Sequence, residues 1–195
     1  MLTVSTTVEI AIHGRGGQAA LTAGNLLTYA LFLEGMEPHG QPRFTPDRMG
    51  APVSYAIRFN RDRSPIVDRS WITDPQIVLL FDISLVTQLG LAQSWSSGID
   101  VIANISPSLG IPDSLASFRL HVLDANRIAR ECGLMKGCVP ILSSAMAGAF
   151  CKVTGLVSLR SVEEAMAANM KGPLARYMDA NVAALRRGYE EVHSL

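Results

Sequence analysis

Seven consecutive residues, His13-Gly14-Arg15-Gly16-Gly17-Gln18-Ala19, concentrate the chemistry of this chain. Gly14, Gly16 and Ala19 fit the spacing G-x-G-x-x-[GA], in which missing side chains let the backbone turn sharply and approach a pyrophosphate at a helix N-terminus. Backbone N–H groups there carry partial positive charge. Arg15 beside them adds a guanidinium that can reach a phosphate or pair with a partner subunit. Gln18, at the expected helix start, can bond backbone or ligand through its amide. A strand-to-helix turn whose glycines serve geometry alone would show the same pattern, so both readings stay open on these residues.

The surroundings narrow the choice. A dinucleotide fold places Asp or Glu at the end of its second strand, about 20 residues on, to hold the ribose. Glu34 belongs to the helix end and Glu37 to the interior or start of the following strand, so neither is a convincing ribose ligand. No G-x-x-x-x-G-K-[ST] follows the first strand, which excludes a P-loop. A stand-alone NAD(P)-binding oxidoreductase therefore rests on the glycine turn only. Arg43, Arg48 and Gly50 form a second cluster, two guanidinium groups with backbone freedom, suited to a carboxylate, a phosphate or, preferably, a subunit interface. His13 and His39 lack a visible partner and read as structural or solvated. Asp82, Asn104 and Asp124 each end an apolar run, where open α/β sheets bind ligands and where helices also need caps. Cys132, Cys138 and Cys151 are odd in number, lack a C-x-x-C pair and read as buried free thiols, with no self-contained iron–sulfur or zinc site. Met135 and Met146 read as packing residues.

These residues need elements to hold them. Val8 to His13 is an apolar strand, and Gln18 to Glu34 has helical spacing closed by Gly35. Met36 to His39 offers a short second strand, and Gly40 to Gly50 a loop. Val53, Tyr55, Ile57 and Phe59 alternate with unlike residues as a strand does, and the polar turn before Ile66 and Val67 suggests that it returns as a hairpin. The runs Ile77 to Phe81, Val101 to Ala103, and Val122 with Leu123 read as buried parallel strands. Ser161 and Glu164 form a capping-box pattern for a helix to about Asn169. Leu174, Tyr177, Met178, Asn181, Val182, Leu185 and Tyr189 mark one face of a final helix. The expected fold is α/β, a Rossmann-like, mainly parallel sheet with helices on both faces and a β-hairpin at one edge.

The chain has 195 residues, enough for one core, and the expected organisation is a single domain over 1–195. Apolar residues make up 48% and charged residues 17%, so part of the surface is expected to be covered by partners. Seventeen basic residues balance 17 acidic ones, which argues against a field that gathers nucleic acid or anionic membrane. The longest apolar runs fall short of the ~20 residues of a membrane span. Met1 to Thr7 lacks a basic segment followed by an apolar one, so a secretion signal is not expected and a cytoplasmic location is.

The string HGRGGQAALTAGNLL, followed by Arg43-Phe44-Thr45-Pro46-Asp47-Arg48-Met49-Gly50-Ala51-Pro52-Val53, resembles the gamma subunit of pyruvate and related 2-oxoacid:acceptor oxidoreductases. The likeness continues through Pro65-Ile66, the run ending in Asp82, Val101 to Asn104, Leu123 to Ala129, and the terminal helix with Asn181 and Gly188-Tyr189. Ala19 departs from it, standing where the family usually has glycine after glutamine. So do Thr45, which precedes Pro46, and Met49, which separates Arg48 from Gly50. The resemblance implies one part of a multi-subunit enzyme that oxidatively decarboxylates a 2-oxoacid such as pyruvate, a branched-chain acid, 2-oxoglutarate or phenylglyoxylate to an acyl-CoA. It implies thiamine diphosphate and 4Fe-4S clusters in alpha, beta and delta-type partner subunits, with ferredoxin or an NAD-linked subunit as acceptor. For this chain it implies no catalytic residue, a CoA contact through Gly14, Arg15, Gly16, Gly17 and Gln18, and partner or substrate contacts through Arg43, Arg48 and Gly50. A non-catalytic scaffold of the same fold is the remaining alternative.

Overall fold

The computed structural model describes residues 7–44 and 49–195. In chain order the elements are β1 (Thr7–Arg15), α1 (Ala20–Leu33), β2 (His39–Arg43), β3 (Pro52–Asn60), β4 (Ile77–Leu80), α2 (Ser84–Leu89), β5 (Asp100–Asn104), β6 (Arg119–Leu123), α3 (Ala125–Glu131), β7 (Met135–Lys136), β8 (Val139–Pro140), α4 (Ser143–Thr154), α5 (Leu159–Asn169), α6 (Met178–Glu191) and β9 (His193–Ser194). Seven strands form one sheet in the order β2-β3-β1-β4-β5-β6-β9, and β7 and β8 form a separate small ribbon. β1, β4, β5 and β6 are mutually parallel. β3 lies antiparallel on β1, β2 antiparallel on β3, and β9 antiparallel on β6.

The alternation along the central strands explains the layers. Ile77, Leu79 and Phe81 point to one face with Ile10, Ile12 and Ile102, under α1 and α3–α6. Val78 and Leu80 point to the other with Val101, Ala103 and Val122, under Val86 of α2, Trp95, Ile105 and Leu115. Strands covered on both sides are apolar throughout, which is why these runs read as buried parallel strands. The helical cover is unequal, because the second face carries one short α-helix plus 3-10 turns and irregular segments.

The edge differs from the expected hairpin. Ile66 and Val67 belong to no strand, and the antiparallel partner of β3 is β2, which precedes it in the chain. The cause lies in buried Arg58, whose guanidinium donates to Glu9 at 2.6 Å and to the carbonyls of Asp68 and Ser70 at 2.6 and 3.2 Å. Those bonds hold the 61–76 segment as a strap and leave Val67 exposed. The second strand also starts later than expected, at His39, so Gly40 to Arg43 is strand and not loop.

Smaller expectations also shift. Ser158 caps α5 by accepting from the Ser161 N–H at 3.1 Å, whereas Glu164 pairs with Arg160. The last α-helix begins at Met178, because 172–177 is a 3-10 turn with Leu174 and Tyr177 exposed. Of the three free thiols, Cys151 is buried, Cys132 half-buried and Cys138 exposed. Met146 is a core residue, but Met135 is exposed in β7. Among the described residues no helix is long and apolar enough to cross a membrane.

Candidate functional site

The glycine turn lies where β1 hands over to α1, at the carboxyl end of the parallel strands. Gly14 is still in β1, and a Cβ there would sit 2.7 Å from that of Ala20 and 3.0 Å from that of Phe81. Its missing side chain therefore lets the start of α1 pack onto the end of β4. Gly17 takes a left-handed φ of 101°, as glycine does readily. Ala19 is also left-handed, at φ 64°, and leaves α1 without a side-chain cap. For a residue with a Cβ this conformation costs about 1 kcal/mol, which is consistent with the glycine that the sequence resemblance leads one to expect there.

The two clusters singled out in the sequence meet. The Gly16 N–H donates to the Ala51 carbonyl at 2.9 Å, and the Gly50 N–H donates to the Gly16 carbonyl at 3.0 Å. Arg15 closes the junction. Its guanidinium donates to Asp82 at 2.7 Å, Ser84 at 2.8 Å, Gln88 at 2.7 Å and the Gly50 carbonyl at 3.1 Å. Burial would raise the Asp82 carboxyl, but the Ser84 hydroxyl and Arg15 outweigh it and hold Asp82 below the usual carboxylate range. Gln18 folds back, its Oε1 accepting from the Arg15 N–H at 2.8 Å, while its N–H donates to the Arg15 carbonyl at 3.1 Å.

Arg15 is thus an internal clamp on the turn and not a free cation. The N–H groups of Arg15, Gly16 and Gln18 are engaged inside the chain, whereas those of Gly17 and Ala19 have no partner among the described residues. What the turn can offer a phosphate is this backbone pair with the uncapped first turn of α1.

Arg43 and His13 share a second hollow. Arg43, in β2, lies over the Trp71 ring at 5.2 Å and meets no carboxylate among the described residues. With His13, Phe44, Pro52, Ser54 and Trp71 it lines a cavity of about 360 Å³. The His13 Nδ1 is 3.2 Å from the Ser54 hydroxyl, its partner across the β1–β3 register. Burial pushes the His13 ring down to about 4, so it is neutral at physiological pH. The period-two pattern of β3 was the available signal for this pair, but register with β1 had to be known to use it. Arg48 lies outside the described residues.

The polar residues ending the other strands act structurally. Asn104 donates to the Phe81 carbonyl at 2.9 Å and accepts from the Asn126 N–H at 3.3 Å. Asp124 caps α3 by accepting from the Arg127 N–H at 2.9 Å. Glu34 accepts from the Ser158 N–H at 2.9 Å and the Ser161 hydroxyl at 2.6 Å, so it joins α1 to α5 and faces no ribose site.

Topology decides against an ordinary dinucleotide site. In that fold the second strand lies beside the first, and here β3 fills the place beside β1. The family model for pyruvate ferredoxin/flavodoxin oxidoreductase matches residues 9–191. The chain belongs to this family. It is 36% identical over 188 residues to the common gamma subunit of the pyruvate/ketoisovalerate oxidoreductases of Pyrococcus furiosus, covering 94% of this chain and 96% of that one. The crystal structure of pyruvate oxidoreductase subunit PORC from Thermotoga maritima superposes with a TM-score of 0.78 at 28% identity, over 97% of this chain and 99% of that one. The 2-oxoglutarate:ferredoxin oxidoreductase of Magnetococcus marinus, solved with 2-oxoglutarate, coenzyme A and succinyl-CoA bound, matches with a TM-score of 0.76 at 14% identity. That match covers 95% of this chain and 31% of the other, and it shows a common fold. The chain is a gamma-type subunit of a 2-oxoacid:ferredoxin oxidoreductase, an oxidoreductase component.

Proposed function

We infer that this chain, as a single gamma-type domain over 1–195, completes a cytoplasmic complex with alpha, beta and delta-type subunits that oxidises pyruvate or a related 2-oxoacid. Thiamine diphosphate for decarboxylation and 4Fe-4S clusters for electron transfer belong to those other subunits, with ferredoxin as acceptor. The observation that carries this reading is the near full-length match to a gamma subunit shared by pyruvate and ketoisovalerate oxidoreductases. A shared gamma subunit also favours a chain that does not itself select the 2-oxoacid.

CoA is the ligand best suited to the glycine turn. The Gly17 and Ala19 N–H groups, with the start of α1, meet a phosphate of CoA, while Arg15 positions them through Asp82, Ser84 and Gln88. The related enzyme solved with coenzyme A bound supports the choice of ligand. Within the assembled complex, Arg15→Ala is expected to raise the apparent KM for CoA about five- to tenfold, the size of one charge-assisted bonding network loosened. The 2-oxoacid-dependent first half-reaction should stay near wild type, since it precedes acyl transfer. Unchanged CoA dependence in a variant whose melting confirms the fold would remove the turn from CoA binding.

Arg43, Arg48 and Gly50 are the partner contacts in this reading, with Arg48 assigned from the sequence alone. An arginine held over Trp71, with no carboxylate beside it among the described residues, is preorganised for an acidic group on another subunit. Replacing Arg43 and Arg48 with alanine should weaken association with the partner subunits about tenfold or more, yet alter the free chain's stability by only about 0.5 kcal/mol. An unchanged titration would place the interface elsewhere.

A further inference from the structure

A cavity of about 170 Å³ opens between α1, α4, α5 and α6, lined by Thr22, Asn25, Leu26, Ser143, Ser144 and Met166 among others. At ~30 Å³ per water it has room for about five waters or a small organic molecule. Among the described residues no charged side chain lines it. It lies at the start of α4, a 12-residue helix whose N-cap, Leu142, supplies no side-chain bond. The Leu142 N–H goes to the Gln18 carbonyl, and the first intrahelical bond is Met146 N–H to Leu142. The N–H groups of Ser143, Ser144 and Ala145 therefore have no backbone acceptor among the described residues, and all three residues are largely buried.

An uncapped helix start leaves its first N–H groups to side chains, water or a ligand. A second observation points the same way. Ser143 is only 4% exposed and lines the cavity, and its hydroxyl, which opens into the cavity, has no protein partner among the described residues. The neighbouring hydroxyl of Ser144 is committed to Asn181 at 2.6 Å, and Asn181 donates on to the Tyr177 carbonyl at 2.8 Å, so these two groups form a fixed wall.

We propose that this cavity is a binding site for a small aliphatic monocarboxylate, its oxygens taken by the Ser143 hydroxyl and the first N–H groups of α4. The partial positive charge at a helix N-terminus is about half an elementary charge. With no lysine or arginine in the lining, that field balances a monoanion better than a phosphate dianion. Leu26, Met166 and Met170 supply the apolar contact for a short alkyl group. The site adjoins the glycine turn through the Leu142 N–H bond to Gln18, but the proposal does not rest on the CoA assignment.

Thermal melting of the full chain at matched ionic strength tests the assignment, with isobutyrate as probe and isobutyramide, phosphate and chloride as comparisons. Isobutyrate should raise the melting temperature saturably, while the neutral amide and phosphate do so less. Ser143→Ala should weaken the isobutyrate effect about fivefold, as loss of one hydrogen bond does. Asn25→Asp keeps the acceptor for the Tyr55 hydroxyl, at 2.9 Å, while placing a negative charge in the lining, and should abolish the effect without unfolding the chain. No saturable isobutyrate effect, an equal or larger effect of phosphate or isobutyramide, or a full isobutyrate effect in Asn25→Asp would overturn the proposal.

Discussion

Gly148→Ala is expected to destabilise the chain by roughly 3 kcal/mol or more, and Gly188→Ala by a similar amount. α4 and α6 cross with backbone against backbone. A Cβ on Gly148 would lie 1.9 Å from the Leu185 carbonyl oxygen and 2.8 Å from the Tyr189 nitrogen, and one on Gly188 would lie 1.9 Å from the Ala145 carbonyl oxygen. Alanine gains up to about 1 kcal/mol in helix propensity over glycine. The clash outweighs that gain, because main-chain atoms held in a helix cannot swing aside as a side chain can. The helices must separate, which also disturbs the Ser144–Asn181 bond at 2.6 Å. A drop in melting temperature on the order of 10 °C is expected for each variant. The double variant should cost less than the sum, since one displacement relieves both contacts. Melting temperatures at or above wild type would show that the two helices do not approach this closely.

Acidification provides the second large effect. The His13 ring has an ordinary value of 6.5 and is lowered to about 4 by burial. Between those two values the unfolded chain binds a proton at this histidine and the folded chain does not, so stability falls as pH drops from about 6.5 to about 4. Below that the contribution is flat. At ~1.4 kcal/mol per pH unit the loss is about 3 kcal/mol from this one group. His39, His121 and His193 are present in both wild type and His13→Asn, so the difference between their pH profiles isolates His13. Denaturant unfolding should show wild type losing about 3 kcal/mol more than the variant over this interval. Parallel profiles would mean that His13 is reached by solvent.

Much of this architecture was legible because burial on both faces imposes continuous apolar runs. Ile77 to Phe81 and Val101 to Ala103 became β4 and β5 for that reason. Asp124 was legible as a cap because a short carboxylate before a helix meets the free N–H groups whatever the tertiary context. Strand neighbours are a different matter. β3 has the alternation of an edge strand, but its pairing with β1 and β2 depends on where Arg58 sends the 61–76 segment, and no local signal encodes that. Arg15 was visible as a candidate, and its four acceptors were not, since Gly50 lies 35 residues away and Asp82, Ser84 and Gln88 lie 67 to 73 residues away. The lone left-handed alanine shows the reverse. Ala19 stood out against the family pattern before its backbone angle explained why glycine is the usual residue.

Non-autonomy is tested most directly by 2-oxoacid-dependent reduction of a viologen dye, measured on the purified chain and on the complex recovered with it from native cells. With pyruvate and CoA supplied, the isolated folded chain should give no turnover, because in the proposed assembly the groups that decarboxylate a 2-oxoacid and carry its electrons belong to other subunits. The recovered complex, containing subunits with thiamine diphosphate and iron–sulfur clusters, should reduce the dye with a 2-oxoacid that the cells use. CoA-dependent turnover by the isolated chain, or recovery of the native chain with no such subunits, would contradict its assignment as a working gamma subunit.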